Sequence, residues 1–349
     1  MRAVALRHTV ALFGMILCAS TARAEAQVRI GVLGLFHPNQ IVLQMLSGQT
    51  IVVAAHDTRV VLNGEAHRQR MVFRAQGDQV LADNRVATEW IAAARDGAST
   101  RFLLSIPGKI HRVYVGKLSI TARHGELSAL VTMDIETAVL SIVAAEMPAN
   151  APLEALKAQA VVARSFLSSG SRHAGYDFCD TTHCQFLRSP DDANPHVLKA
   201  VKATHGEMLA YKQKPFPAMY SSRCGGDTLS LRELGMDSGD GYPYYAVQCR
   251  WCRQHPVQWQ SRLATTAEPP PSRNERARIA QSRQWGWSAI PGSAFTAEQD
   301  AHGLLISGHS IGHSLGMCQF GAIGMAAAGA DYRSILAHYY PNTELTSLR

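Results

Sequence analysis

The sequence predicts an α+β fold, and three observations lead to that prediction. From Val28 to about Met133 the chain is a series of short β-type runs, such as TIVVAA and RFLLSI, separated by turn residues. After Asn150, apolar residues recur at helical spacing. From Gly303 onward, a strand, a glycine-rich turn and two short helices follow one another. With 46% hydrophobic and 17% charged residues, the composition excludes disordered and collagen-like classes.

Residues 1–24 are predicted to be a secretory signal peptide. Arg2 and Arg7 precede an apolar run, and the segment ends in the small-residue pattern Ala22-Arg23-Ala24. The apolar run is too short to span a membrane, and no later segment approaches the roughly 18 apolar residues that a transmembrane helix needs. We therefore expect an exported protein without a transmembrane segment, located in the periplasm or the extracytoplasmic cell wall.

The charge of the chain is modestly positive. The formal net charge is +7, and removing residues 1–24 leaves +4, because that segment holds three arginines and no acid. No Lys/Arg-rich run or interleaved aromatic patch accompanies this excess, so we expect no nucleic-acid partner. An anionic cell-wall polymer and an ordinary solvated surface explain the charge equally well.

Glu146 is the first candidate for chemistry. A helix is predicted to begin at Asp134, and Pro148 ends it by biasing Met147 out of the helical region. A carboxyl group partly desolvated at such a break keeps its proton more readily and can act as a general acid. The alternative is an idle, solvated glutamate at a helix end.

A second helix is predicted after Asn150, which we expect to be its N-cap, with Pro152 in the first turn. Lys157 and Arg164 are seven residues apart and so lie within about 20° of each other around its axis. Both border the apolar stripe. They could orient Glu146 or hold a sugar, or they could only pack their stems against the core.

Metal-ligand residues follow this helix. His173, Cys179, His183 and Cys184 lie within twelve residues, and two imidazoles with two thiolates match a closed structural zinc site. A disulfide between Cys179 and Cys184 competes with this prediction, because the chain is expected to be exported.

Four further cysteines remain after the signal segment: Cys224, Cys249, Cys252 and Cys318. The CxxC of Cys249 and Cys252 alone does not decide between a redox pair, a disulfide and a metal site. We expect a short-range disulfide, or bridges to Cys224 or Cys318.

The segment GHSIGHSLG contains G-x-S-x-G twice, at Ser310 and Ser314, with Asp331 and His338 in the order of a serine hydrolase. The alternating strands and helices that an α/β-hydrolase needs are missing upstream, so a serine esterase is the weakest alternative.

Three segments stand out: AAEMPANAPLEALKAQAVVARSF, then YSSRCGGDT with its upstream GEMLAYKQKPFPA, and finally GHSLGMCQFGAIGMAAAGADYRSILAHYYPNTEL. Together they resemble the SpoIID/LytB family of cell-wall proteins. In addition, DFCDTTHCQ is similar to the metal-binding insert of some members. The resemblance begins near Leu118 and covers a SpoIID/LytB-like domain over residues 118–349. With the predicted signal peptide over residues 1–24 and the β-type runs over residues 25–117, the chain is expected to have three parts.

The resemblance implies that the protein is a lytic transglycosylase of peptidoglycan, preferring glycan strands stripped of stem peptides. Glu146 would be the catalytic acid, with Lys157 and Arg164 as functional basic positions. Further residues are implied by position: Ser221, Ser222, Gly225 and Gly226 in the cleft motif, His313 and Gln319 in the late motif, and His173, Cys179, His183 and Cys184 as zinc ligands. Ser314 and Cys318 depart from the usual glycine and serine of the late motif.

One carboxylate is enough for this reaction, because the muramic 6-hydroxyl replaces water as the attacking group, whereas hydrolytic glycosidases usually need two. The alternative function, from another class, is a non-catalytic wall-binding module that stimulates an N-acetylmuramoyl-L-alanine amidase.

Overall fold

The computed structural model describes residues 26–264, 268, 271–286 and 288–347. The predicted signal peptide therefore lies outside the described residues. No helix among the described residues is both long and apolar enough to cross a membrane.

The main sheet has twelve strands and is antiparallel apart from one short parallel pair, between the first and the last of them. The strands are β1 (Gln27–Val32), β2 (Gln40–Met45), β3 (Thr50–Ala55), β4 (Thr58–Asn63), β5 (Arg70–Gln76), β6 (Gln79–Ala82), β7 (Arg85–Ala87), β8 (Glu89–Ala93), β9 (Thr100–Ile106), β10 (Ile110–Arg123), β11 (Glu126–Asp134) and β12 (Phe178–Cys179). The order is β12-β1-β11-β10-β9-β2-β5-β6-β7, and β8 also pairs with β10 and carries β3 and β4.

Alternating burial along these strands fits the β-type runs in the sequence. Every second residue of β11 is buried, as expected for a sheet with one face on a core. The long strand β10 pairs with β9 through its first half and with β8 and β11 through its second. Gly116 lies where the pairing changes; its φ is +141°, and a Cβ there would lie 2.2 Å from the Thr132 carbonyl oxygen. Only glycine allows the two backbones to approach this closely.

Two helices follow the sheet. Helix α1 (Ile135–Glu146) is capped by Asp134, whose carboxylate accepts a hydrogen bond from the Thr137 N–H. Helix α2 (Leu153–Leu167) begins directly after Pro152. The prediction that Asn150 caps α2 is wrong, because Pro152 takes the cap position without a side-chain hydrogen bond.

Helix α2 is buried almost all round and is therefore a core helix rather than a surface one. It packs against α1, α3 (Pro195–Ala203), α6 (Gln319–Ala327) and α7 (Tyr332–Tyr339). One part of its surface belongs to the core under the main sheet, and another belongs to a second core with α6, α7 and several tyrosines.

The remaining elements form small sheets and short helices. One sheet consists of β13 (Glu207–Tyr211), β14 (Lys214–Pro215) and β20 (Glu344–Ser347), and a parallel pair consists of β15 (Tyr220–Ser221) and β19 (Met317–Cys318). A third small sheet consists of β16 (Trp259–Leu263), β17 (Phe295–Asp300) and β18 (Gly303–Gly308). The two remaining α-helices of the described residues are α4 (Arg250–Gln254) and α5 (Glu275–Trp285). The predicted α+β class is confirmed. Because β10 spans residue 117, the main sheet continues across the expected boundary, and the domain division stays a prediction.

Candidate active site and candidate metal centre

Glu146 is the last residue of α1, and the chain leaves the helix in an extended conformation at Met147. Its Oε1 accepts a hydrogen bond of 2.8 Å from the Phe186 N–H. Burial raises the pKa of Glu146; the Phe186 N–H, the Tyr220 hydroxyl and the charge of Arg188 oppose that effect without cancelling it. The carboxyl group is therefore suited to keep a proton at a higher pH than a solvated glutamate.

Three segments distant in sequence meet around Glu146. Strand β15 brings Tyr220 to it, and the parallel partner β19 leads directly into Gln319 at the start of α6. The Gln319 Nε2 donates to the Glu146 carbonyl oxygen at 3.2 Å and to the Gln159 Oε1 at 3.3 Å. The Tyr220 hydroxyl oxygen also lies 3.4 Å from the Gln185 Oε1. A titratable acid thus lies within a set of neutral polar side chains.

Tyr220, Gln159, Gln185 and Phe186 are site residues that the sequence analysis missed. Tyr220 stands directly before Ser221 in the cleft motif, and that position was the one signal for it. The other three lie near Glu146 only through the packing of α1, α2 and the 185–186 segment, which spacing does not reveal.

Ser221 and Ser222 differ in exposure. Ser221 is buried, and its Oγ is without a hydrogen-bond partner among the described residues. Ser222 is exposed, and its carbonyl oxygen accepts a hydrogen bond from the Phe320 N–H. A backbone hydrogen bond therefore connects the cleft motif to the start of α6. The Ser221 Oγ makes no hydrogen bond among the described residues.

Gly225 and Gly226 allow a close backbone approach. Both have positive φ, and a Cβ on Gly225 would lie 2.7 Å from the His309 carbonyl oxygen. Arg223 and Ile311 form a β-bridge next to this contact. The two glycines thus join the cleft motif to the glycine-rich turn, and their contact with substrate stays a prediction.

His313 is neutral near pH 7. Burial lowers its pKa to about 4, although the nearby Glu275 carboxylate acts in the opposite direction. Its Nδ1 accepts a hydrogen bond of 2.9 Å from the Leu315 N–H, and the ring is also hydrogen-bonded to the Tyr220 backbone. The side chain therefore anchors the turn to β15 as an uncharged imidazole.

Arg164 does not contact Glu146, which was one of the roles that the sequence left open for it. Arg164 is fully buried, and its guanidinium makes two hydrogen bonds of 2.7 Å to the Glu136 carboxylate and one of 2.7 Å to the Glu207 carbonyl oxygen. These three hydrogen bonds connect α2 to the first turn of α1 and to β13. Because Arg164 is fully buried and paired with Glu136, a structural role fits it better than contact with substrate.

Lys157 is also paired elsewhere. Its Nζ donates to the Glu154 Oε1 at 2.7 Å and lies 5.5 Å from the centre of the Tyr332 ring. The cation that acts on Glu146 is instead Arg188. Lys157 remains partly exposed, so contact with a sugar stays a prediction for it.

The two serines of the G-x-S-x-G patterns are structural. Ser310 and Ser314 are both fully buried. The Ser310 Oγ accepts a hydrogen bond from the Ala294 N–H, and the Ser314 Oγ donates to the Cys224 carbonyl oxygen. A nucleophilic serine must be reachable by substrate, so the esterase alternative is wrong.

The structure brings His173, Cys179, His183 and Cys184 together. One ligand atom from each lies within 4.8 Å of all the others. The His173 Nε2 is 3.3 Å from the Cys184 Sγ, and the His183 Nδ1 is 3.6 Å from that sulfur and 3.7 Å from the Cys179 Sγ. Tetrahedral zinc with its usual bond lengths separates a nitrogen and a sulfur ligand by about 3.6 Å.

These residues therefore fit a zinc ion. Both cysteines are free thiols, rather than the disulfide that was the alternative. A hydrogen bond from Cys184 lowers the pKa of the Cys179 thiol. The cluster lies at the edge of the main sheet, because Cys179 in β12 pairs with Gly31 in β1.

Comparison with known proteins finds similarity to sporulation proteins and to an amidase enhancer. Residues 123–211, which include Glu146 and the His/Cys cluster, match the SpoIID family model, described as stage II sporulation protein. An uncharacterized protein of Brachyspira hyodysenteriae is 27% identical over 66% of this chain and 72% of its own length. Stage II sporulation protein D of Bacillus amyloliquefaciens is 26% identical over 61% of this chain and 74% of its own length. The amidase enhancer of Bacillus subtilis is 26% identical over 58% of this chain and 39% of its own length.

Proposed function

We propose, from the match of residues 123–211 to the SpoIID family model, that the chain is a member of this family and an exported lytic transglycosylase of the cell wall. Its substrate would be the bond between N-acetylmuramic acid and N-acetylglucosamine in glycan strands stripped of peptides. The observation that supports the proposal best is the raised pKa of Glu146 at the point where three sequence motifs meet.

Glu146 would perform both proton transfers. In its protonated form it donates to the bridging oxygen, and the bond between that oxygen and C1 of the muramic residue breaks. The resulting carboxylate then takes the proton of the muramic 6-hydroxyl as that oxygen bonds to C1. The products are a free 4-hydroxyl and a 1,6-anhydro end, no water is consumed, and Glu146 regains its proton.

The neighbouring groups have positioning roles. The Phe186 N–H fixes one carboxyl oxygen of Glu146, and Gln319 fixes the end of α1 through the Glu146 carbonyl. We propose that Ser221, Ser222 and the backbone at Gly225 and Gly226 contact the glycan, together with the late motif of His313 and Gln319.

His173, Cys179, His183 and Cys184 would hold zinc as a structural ion. Bound there, zinc would supply cross-linking between the loop and the edge of the main sheet, and no chemical step is assigned to it.

The second candidate is a non-catalytic module that binds the wall and stimulates an amidase. Similarity to a protein named amidase enhancer favours it. In that case Glu146 would contribute to the fold or to glycan binding without transferring a proton.

The experiment is to incubate the purified protein with peptide-free glycan strands and to measure anhydromuramic ends by mass spectrometry. We expect such ends with the wild type and a loss of about 10²-fold or more with Glu146→Gln, because a general acid contributes about that much. Glu298→Gln, which changes an exposed glutamate of β17, is the matched control and should keep full activity. Wild-type protein that forms no anhydro ends but accelerates an added N-acetylmuramoyl-L-alanine amidase would contradict the enzyme and support the enhancer.

A further inference from the structure

The four cysteines outside the His/Cys cluster gather at one buried point. Cys224 follows β15, Cys249 and Cys252 flank the start of α4, and Cys318 ends β19. Each is at most 3% exposed, and the four sulfur atoms all lie within 4.8 Å of one another. All four are free thiols, in place of the disulfides that the sequence analysis expects. This cluster could hold a metal ion.

The spacing of the sulfurs fits one ion better than two disulfides. A tetrahedral zinc ion with four thiolates places its sulfurs about 3.8 Å apart. The Cys252 and Cys318 sulfurs are 3.5 Å apart, close to that value. A disulfide brings two sulfurs to about 2.05 Å and gives no reason for a second pair to join them. The C-x-x-C of Cys249 and Cys252 is also a common spacing of zinc ligands.

The surroundings of the sulfurs suit thiolates. The Gly321 N–H donates to the Cys318 Sγ at 3.4 Å, and the Tyr339 hydroxyl is 3.5 Å from the Cys249 Sγ. Hydrogen bonds of this kind orient metal-bound thiolates and offset their charge. Cys318 is also the N-cap of α6, where the helix dipole favours negative charge.

The backbone leaves room for this cluster. A Cβ on Gly321 would lie 2.6 Å from the Cys249 sulfur and 2.0 Å from the Tyr339 hydroxyl oxygen. Gly324, one turn later, lets the Trp251 ring pack against α6, with an added Cβ only 2.4 Å from it. Two glycines of α6 are therefore explained by the approach of α4 and its two cysteines.

We propose that Cys224, Cys249, Cys252 and Cys318 bind a second zinc ion in a closed tetrathiolate site, separate from the His/Cys cluster. Four thiols lose their protons to solvent, and four Zn–S bonds form without any redox change. With no open ligand position the ion is structural. It would hold the chain after Ser221 and the start of α6 together, next to Gln319.

The test begins with the intact wild-type chain purified without chelator. We expect about two zinc ions per chain by elemental analysis and native mass spectrometry. We also expect four alkylatable thiols at these cysteines after denaturation in chelator without reductant. Cys252→Ser and Cys184→Ser form a matched pair, because each removes one ligand from one cluster. Each should lower the zinc content by about one ion and leave the other ion bound.

Cobalt(II) identifies the ligands of each ion. In Cys184→Ser the remaining cobalt should show the strong sulfur-to-metal charge transfer of four thiolates, and in Cys252→Ser the weaker band of two. The proposal would be overturned by one zinc per wild-type chain together with disulfides among these four cysteines, each detected as a loss of two hydrogens in the peptide mass. This wild-type result is decisive even if Cys252→Ser does not fold, and neither readout depends on enzymatic activity.

Discussion

At the scale of single residues, three partly or fully buried glutamates differ in whether a cation pairs with the carboxyl group. Glu136 is paired with the guanidinium of Arg164. Glu275 accepts two hydrogen bonds from Arg278, which lowers its pKa although burial acts in the opposite direction. Glu146 has a backbone N–H and a tyrosine hydroxyl instead of a directly paired cation, so the effect of burial prevails and its pKa is raised. The carboxyl without an ion pair is the one suited to hold and release a proton.

The raised pKa of Glu146 makes a prediction about stability. The folded state keeps this proton to a higher pH than the unfolded chain, so stability falls as pH rises through the interval between the two pKa values. We expect Glu146→Gln, whose amide oxygen can still accept from the Phe186 N–H, to unfold at a higher temperature than the wild type near neutral pH. The difference should vanish below about pH 4, where both forms are uncharged.

Thermal unfolding followed by circular dichroism across this pH range measures the effect. Glu298→Gln is the control and should show no such pH-dependent gap. A Glu146→Gln variant less stable than the wild type at every pH would contradict the assignment of a desolvated carboxyl.

Arg164 and Lys157 provide a second test at this scale, since both were candidates to orient Glu146. Arg164→Met leaves the Glu136 carboxylate unpaired in the protein interior, and breaking a buried pair of this kind costs about 3–5 kcal/mol. Lys157→Met breaks a partly exposed pair with Glu154, for which about 0–1 kcal/mol is expected. Urea unfolding of the two variants measures the difference. Equal, small losses would show that the Arg164 pair is not structural.

At the scale of elements, helix α2 joins the sheet core to the core of the C-terminal helices. Its existence and that of α1, α6 and α7 could be predicted from apolar spacing and from the proline after Glu146, because those signals are local. The partners of Arg164 could not, because Glu136 and Glu207 reach it from other elements. The same holds for Cys224 and Cys318, which are brought together by the pairing of β15 with β19. Local chemistry thus predicts the helices and the candidate acid, whereas the contacts of each side chain depend on tertiary packing.

Helix α6 carries a prediction of its own, because Gly321 is in contact with α4 and α7. Gly321→Ala would place a methyl group 2.0 Å from the Tyr339 hydroxyl oxygen and force the helices apart. Overpacking of this kind costs about 1–3 kcal/mol. Gly34→Ala is the matched control, since nothing lies within 4 Å of its added Cβ. Chemical unfolding that shows the two variants equally stable would mean that α6 and α7 are not packed as closely as described.

At the scale of the whole molecule, the buried hydrophobic residues of the described part of the chain divide into three cores of unequal size. The largest lies under the main sheet and includes residues of β1–β11 together with α1, α2 and α3. The second joins α2 to α6, α7 and the aromatic residues around Tyr242. The third has five buried residues, Ala289, Ile290, Phe295, Leu304 and Ile306, beneath the sheet of β16, β17 and β18.

This inequality predicts unequal opening of the molecule. Backbone hydrogen bonds are alike in all sheets, so the free energy of local opening is set mainly by the apolar surface that opening exposes. Strand β18 is the central strand of its sheet, and β11 likewise lies between β1 and β10. The core that β18 covers is far smaller than the core under β11. We expect amides of β18 to exchange with deuterium at least about tenfold faster than those of β11 under native conditions, equivalent to a difference in opening free energy of about 1.4 kcal/mol or more.

Hydrogen exchange with mass spectrometry of peptides from both strands measures this ratio. Equal protection in the two strands would mean that the small sheet opens only with the whole molecule, and that its contacts with the glycine-rich turn, such as the 2.7 Å hydrogen bond from the Trp259 indole to the Ser310 carbonyl, bind it to the larger cores.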